Sequence, residues 1–349
     1  MSQLNTGFIE TLEGVALYHK SIDLYEKIER EHGHITRVNG ITMGYLEFGP
    51  SDGMPLIWAH ASTSTGFEIL NVQEALVDAG YWVIAIDYRG HGKTQINVTE
   101  YNTSLYHIAD DIAALMDDLR IAAAIIGGWS KGGWVAAAFY DAYPKKVLGL
   151  LLEDGGSFSD LRFKEDVQLK VVKPGPLPYS AEAAKKLYDT TTRFQTRLEG
   201  LKAVWELCSP AIKSAPTVEN ITWLLSYLCQ KADGTWVHHC DCLQLMIGNI
   251  DRDYFVTGPT LYSRLPLMQQ SQELMIPLVV FRNLDVPMHI IDPVSPEDWL
   301  PVRHQNKELQ AQHPDLIVHE VYDYEHSPHE AHIERPERFI ESAKALLKR

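Results

Sequence analysis

The stretch Ala122–Tyr143, AAAIIGGWSKGGWVAAAFYDAY, decides the fold. It begins as a short apolar run of the kind that forms a buried strand and ends as a helix of small residues. Between the two lies Gly128-Trp129-Ser130-Lys131-Gly132. The bare pattern G-x-S-x-G is weak, and its place between an apolar strand and a small-residue helix is what gives it meaning. A chain that reverses so sharply holds its central residue at a strained φ/ψ. Glycines are needed on either side because side chains there would collide with the neighbouring strand and helix. Ser130 is thereby pushed out of the turn, where its hydroxyl can serve as a nucleophile.

Upstream, ITRVNGITMGYLEFG (35–49) reads as two short β runs around an Asn39-Gly40 turn, a strong hairpin signal. PLIWAH (55–60) and YWVIAID (81–87) are short apolar runs of buried-strand type, separated by helical spacing through Leu70, Val72, Leu76 and Val77 that stops at Gly80. SLYHIADDIAALMDDLRI carries Ile108, Ile112, Leu115 and Leu119 on one helical face, and VLGLLLED (147–154) is a further strand. Strands alternating with helices at this spacing predict an α/β fold with a mostly parallel sheet covered on both faces. The alternation stops at Gly155 and resumes with VPMHIID (286–292), a helix around QNKELQAQ, the strand LIVHEVYD and a last helix from about Arg335. The expected domains are an N-terminal arm over 1–34, a core over 35–154 and 286–349, and a mainly helical cap over 155–285. An insertion that long is not a plain loop.

The chain has 349 residues, 45% of them hydrophobic and 22% charged, which excludes a disordered or collagen-like protein. Its 31 basic and 46 acidic residues give a formal charge of −15. So acidic a surface repels phosphate backbones and anionic lipid, which makes nucleic acid and membranes poor partners. The start, MSQLNTGFIETLEG, lacks the basic residues and apolar run of a signal peptide, and a soluble cytoplasmic protein is expected. Nothing in the sequence fixes an oligomeric state.

A nucleophilic serine on a mid-sheet strand takes its base from the loop after the last strand. His326 in YDYEHSPHEAH occupies that loop and is the first choice, with His329 and His332 close behind it. His60, His91 and His289 read as buried polar side chains bonded to neighbouring backbone. The oxyanion hole is expected from two backbone N–H groups, those of Lys131 and, after PLIWAH, of Ser62 in His60-Ala61-Ser62-Thr63.

In these pieces the chain resembles the α/β-hydrolase fold superfamily, of the serine esterase or lactonase type. The matching residues are WAHAST, IDYRGHGKT, GWSKGG and EHSPHEAHIERPERF, taken in that order. The resemblance implies a mostly parallel eight-stranded sheet with a cap inserted after strand six. It also implies a triad acid, for which Asp292 in DPVSP ranks first. Asp154, at the end of LLLED, and Asp298, which also fits a helix-capping box, are the alternatives. Two departures stand out: Ala61 replaces the usual glycine, and Lys131 sets a long cation beside the nucleophile. That cation would favour the alkoxide or an anionic substrate edge, or would snorkel to solvent.

The chemistry implied is hydrolysis of a carboxylic ester or lactone of a bulky, largely apolar small molecule, with no cofactor. The arm and DPVSPEDW resemble macrolide-lactone esterases faintly. A C–C bond hydrolase, an amidase, an acyltransferase and a ligand-binding receptor are the rival classes. His238-His239-Cys240-Asp241-Cys242 has too tight a C-x-C for a structural zinc site, and no second ligand pair beyond the lone Cys229 has suitable spacing. No Gly-rich phosphate loop is present. Trp205, Trp223 and Trp236 in the cap read either as walls of a roomy apolar pocket or as the cap's own core.

Overall fold

The computed structural model of the protein describes residues 7–62, 64–94, 105–157, 192–214, 216–238, 281–293, 300–322 and 329–348. The strands are β1 (Gly33–Val38), β2 (Ile41–Phe48), β3 (Met54–Ala59), β4 (Tyr81–Ile86), β5 (Ala124–Trp129), β6 (Val147–Glu153), β7 (Leu228–Gln230), β8 (Trp236–His238), β9 (Met288–Pro293) and β10 (Ile317–Tyr322). The α-helices are α1 (Leu12–His32), α2 (Gln73–Asp78), α3 (Leu105–Asp118), α4 (Lys131–Ala142), α5 (Arg197–Leu207), α6 (Pro210–Ser214), α7 (Val218–Leu225), α8 (Leu300–Gln312), α9 (Ala331–Glu334) and α10 (Pro336–Leu346).

Eight strands form one sheet in the order β1-β2-β4-β3-β5-β6-β9-β10. β2 runs antiparallel to β1 and β4, and the remaining pairings are parallel. The β1–β2 turn places Asn39 at φ 46° and Gly40 at φ 79°, the double positive φ of the hairpin turn that an Asn-Gly pair favours. Because side chains alternate along a strand, Ile57, Ile84 and Ile126 enter the apolar layer with Ile108, Ile112 and Phe139 on one face. Leu56, Val83 and Ile125 enter the layer with Trp58, Trp129, Trp223 and Phe339 on the other. With both faces covered, the central strands are apolar throughout, as their sequences require.

The expected arm is a 21-residue helix, capped by the Thr11 hydroxyl, which accepts from the Gly14 amide at 3.0 Å. It is bolted to α7: Ser21 Oγ donates to Val218 O at 3.1 Å and Thr222 Oγ1 donates to Ser21 O at 3.1 Å. Tyr25 stacks on Phe67 of the core at 5.0 Å, and the Arg197 guanidinium lies 4.0 Å over Tyr25 and 5.0 Å from the Trp236 ring. One buried cation thus joins arm and inserted segment.

Two local features differ from the sequence reading. The helical spacing from Leu70 is split into a 3-10 turn, Gly66–Asn71, and the short α2. In the inserted segment, β7 and β8 form an antiparallel hairpin around Gly234 at φ 85°. An Asp233-Gly234 turn favours that hairpin, but strands of three residues are too short to show a period. Trp205 and Trp223, 1% and 2% exposed, belong to the packed layer, whereas Trp236 is half-buried. Arg197→Ala is expected to cost about 2 kcal/mol in denaturant unfolding and to make the segment before Gly33 the first point of limited proteolysis.

Candidate active site

Ser130 sits at φ 52° and ψ −117°, between β5 and α4. A non-glycine residue in that region is strained, and it persists only where the surroundings over-determine it. Here the surroundings are backbone. A Cβ on Gly132 would lie 1.8 Å from Ala59 O, one on Gly128 2.2 Å from Gly132 C, and one on Gly155 2.1 Å from Ser130 O. Helix α4 can approach the sheet this closely only because these positions have no side chain. The turn is held by Ser130 N donating to Glu153 O at 2.8 Å and Gly133 N donating to Ser130 O at 3.0 Å.

One strand over, Asp154 ends β6 at φ 41°, again left-handed and again not glycine. Its amide donates to Ile291 O at 2.8 Å, which fixes the turn against β9. Its carboxylate is 4% exposed and its Oδ2 accepts from His329 Nδ1. The His329 ring lies 5.0 Å from that of Trp129, the residue before Ser130, and its side chain is 41% exposed. Burial pushes the Asp154 carboxyl up to about 6, with His329 opposing the rise. Burial alone would depress the His329 ring, but the Asp154 carboxylate outweighs it and carries the imidazole up to about 9.

The other candidates fall as follows. Asp292, 2% exposed at the end of β9, accepts through Oδ2 from Asn306 Nδ2 and from His319 Nε2, the latter at 2.7 Å. His326 and Asp298 lie outside the described residues, as does Thr63. Ser62 is half-buried in the loop after β3. Around it, Ala61 N donates to Glu68 Oε2 at 3.1 Å and Ser64 N donates to Ala61 O at 3.2 Å. Lys131 opens α4, where leading amides have no acceptor within the helix. Its side chain does not snorkel: it is 5% exposed, with the ammonium 4.7 Å over the Tyr88 ring. His60 and His91 bond backbone as expected, to Ala61 O at 2.7 Å and Arg89 O at 3.0 Å.

Sequence reasoning passed over Glu68 and Glu153 and held His332 only as an alternative base; all three are fully buried. The available signal was the doublet Glu153-Asp154 facing histidines three residues apart, His329 and His332. Among the described residues no group of three or more His, Cys, Asp or Glu is placed to hold a metal, and no helix is long and apolar enough to cross a membrane. Residues 239–242 of the His-Cys cluster lie outside the described residues. Cys208 and Cys229 are free thiols.

A family model described as the alpha/beta hydrolase fold matches residues 55–173. A non-heme chloroperoxidase of Streptomyces lividans is 33% identical over 121 residues, 34% of this chain and 43% of that protein. A mitochondrial palmitoyl-protein thioesterase of Bos taurus is 29% identical over 147 residues, 40% of this chain and 47% of that protein. The match thus spans less than half the length of these curated relatives. Among solved structures, an E-2-(acetamidomethylene)succinate hydrolase superposes with a TM-score of 0.62 at 19% identity, covering 91% of this chain and 100% of that one. Together with the order of the eight strands, this shows the α/β-hydrolase fold. The turn at Ser130 is held by backbone contacts that leave no room for side chains at its glycines. Gly155→Ala is expected to cost about 3 kcal/mol of stability, read as a lowered urea midpoint.

Proposed function

We propose that the protein is a serine hydrolase that cleaves a carboxylic ester or lactone of a bulky, largely apolar small molecule through an acyl-enzyme on Ser130. The observation that carries this reading is the pairing of Asp154 with His329 on the strand end next to the strained turn of Ser130. We take His329 as the base because, among the described histidines paired with a buried carboxylate, it is the one whose side chain is exposed; His326, the first choice from the sequence, lies outside the described residues. Asp154 replaces Asp292 as the acid because Asp292 Oδ2 is already engaged by Asn306 and His319.

In this scheme His329, its Nδ1–H held by Asp154, takes the Ser130 proton as the hydroxyl attacks the acyl carbonyl. The tetrahedral oxyanion forms against the amides of Lys131 and Ser62. The imidazolium then protonates the departing alcohol, and a water activated by the same ring releases the acid. The aromatic surroundings, Trp129 beside His329 and Trp223 at 5.9 Å from Trp129, suit an apolar group. A thioesterase among the similar proteins fits acyl transfer as the reaction class. A macrolide lactone is one member of the substrate class, recognised by a linear product heavier by one water.

Ser130→Ala is expected to lower ester turnover by about 10³-fold or more while circular dichroism stays native. Wild-type turnover in that variant would overturn the proposal, and a parallel panel of amides and vinylogous diketones reads the bond cleaved.

The pH profile follows from the imidazole. Only the neutral ring can accept the serine proton, and its resting form is charged below about 9. The value of kcat/KM is therefore expected to climb about tenfold per pH unit toward a plateau above that point. Asp154→Asn removes the carboxylate that raises the ring. It should move the limb toward an ordinary histidine, about 6.5, and lower kcat by about 10⁴-fold. Asp292→Asn should leave the limb where it is; the opposite pattern would make Asp292 the acid.

A further inference from the structure

Glu68, Glu153 and His332 take no part in the chemistry proposed above, yet each is fully buried. Carrying a charged group into the interior costs several kcal/mol unless pairing and hydrogen bonds offset it. Two carboxylates and an imidazole are therefore poor core filler where leucine would serve. Their partners indicate what they do. The Glu153 carboxylate accepts His332 Nδ1 at 2.9 Å and the His332 backbone amide at 3.1 Å. The carbonyl of the same Glu153 receives the Ser130 amide at 2.8 Å, and the next residue is Asp154. His332 lies in α9, three residues after His329. Thus β6 and the segment before α10 are joined by two rungs, a buried Glu153–His332 rung below and the Asp154–His329 rung above.

Glu68 adds the third connection. Its Oε1 accepts from Trp58 Nε1 at 2.7 Å and its Oε2 accepts from Ala61 N at 3.1 Å, pinning the loop that carries Ser62. The Trp58 ring in turn lies edge-on to His332 at 6.4 Å. Burial raises the Glu68 carboxyl to about 7, and the charge on His332 works against that rise. Burial opposes a charge on His332 as well, and Glu153 first, then Glu68 and Glu330, outweigh it.

We propose that Glu68, His332 and Glu153 form one buried positioning cluster that sets the oxyanion loop, the acid and the base at fixed places around Ser130. They touch no substrate; each acts through a neighbour in sequence or through a hydrogen bond to the backbone of the site. The proposal rests on the reading of Ser130, His329 and Asp154 as the reacting groups.

The test compares Glu153→Gln, the double variant Glu153→Gln/His332→Gln, and Glu68→Gln on an aryl ester, with fluorophosphonate labelling of Ser130 as a second readout. Glu153→Gln should lower kcat by about 10- to 100-fold with KM nearly unchanged. It should also shift the His329 limb to lower pH, because Glu153 is one of the charges that raises that ring. In the double variant two neutral amides can bond each other, so part of kcat should return, a non-additivity that a plain loss of stability does not produce. A folded Glu153→Gln with wild-type kcat and pH limb would overturn the proposal, whatever its melting temperature. If that variant does not fold, Glu68→Gln decides, since it leaves both rungs in place: lower kcat at constant KM supports the cluster and unchanged kcat overturns it. Wild-type protein that resists labelling at Ser130 sinks the catalytic reading itself, and this proposal with it.

Discussion

The close approach of α4 to the ends of β3, β5 and β6 is the constraint on which the site depends. Gly132 meets the Ala59 carbonyl, Gly133 the Gly155 carbonyl and Gly156 the Gly133 backbone, with no room for a Cβ at any of them. Strained backbone of the kind seen at Ser130 and Asp154 costs of order 1–3 kcal/mol per residue. The buried sheet and helices supply that energy, since neither residue can relax without separating a helix from a sheet that is apolar on both faces. Sequence, packing and site geometry meet here: small residues permit the contact, the contact forces the turn, and the turn aims the side chains.

Charge is arranged around that turn in pairs. Three acids lie at the ends of the adjacent parallel strands β6 and β9, namely Glu153, Asp154 and Asp292, and each meets one imidazole: His332, His329 and His319 respectively. Burial raises the Asp154 carboxyl, and the carboxylates of Asp292 and Glu153 add to that rise. With three pairs side by side, each carboxylate has an imidazole neighbour, and only the middle pair reaches solvent, through His329. The two buried pairs serve as struts and the half-exposed pair is available for proton transfer.

Much of this was legible in the sequence, for reasons that can be named. The strand–Ser130–helix junction is local: an apolar run, glycines at fixed offsets and a run of alanines state the packing directly. The Asn39-Gly40 hairpin is legible in the same way. The proposed partners of Ser130 were not, because their choice depends on where side chains point after the chain has crossed the whole sheet. His326, His329 and His332 recur every three residues, and spacing alone cannot say which one meets a carboxylate. Asp154 was harder still. It stands at φ 41° where a glycine would be the usual occupant, and a left-handed aspartate turns its carboxylate in a direction that strand periodicity does not foresee. The β7–β8 hairpin escaped because three-residue strands carry no period.

The inserted segment is connected to the chemistry by more than proximity. Helix α7 bonds the arm through Ser21, and its far end bonds the loop after β3: Trp223 Nε1 donates to Ser64 Oγ at 2.9 Å, and the Ser226 and Thr65 hydroxyls lie 2.6 Å apart. Ser64 in turn donates its amide to Ala61 O, and Ala61 is the residue that Glu68 holds from below. The proposed oxyanion loop is therefore gripped from two sides, by the Glu68 carboxylate of the core and by one hydroxyl, Ser226, and one indole, Trp223, of the insertion. Helix α7 thus holds this loop through side chains, while Ser130 is held by backbone contacts. In the proposed scheme, therefore, the insertion and arm bear on the oxyanion loop through side-chain hydrogen bonds, whereas the nucleophile takes its place from the backbone of the core.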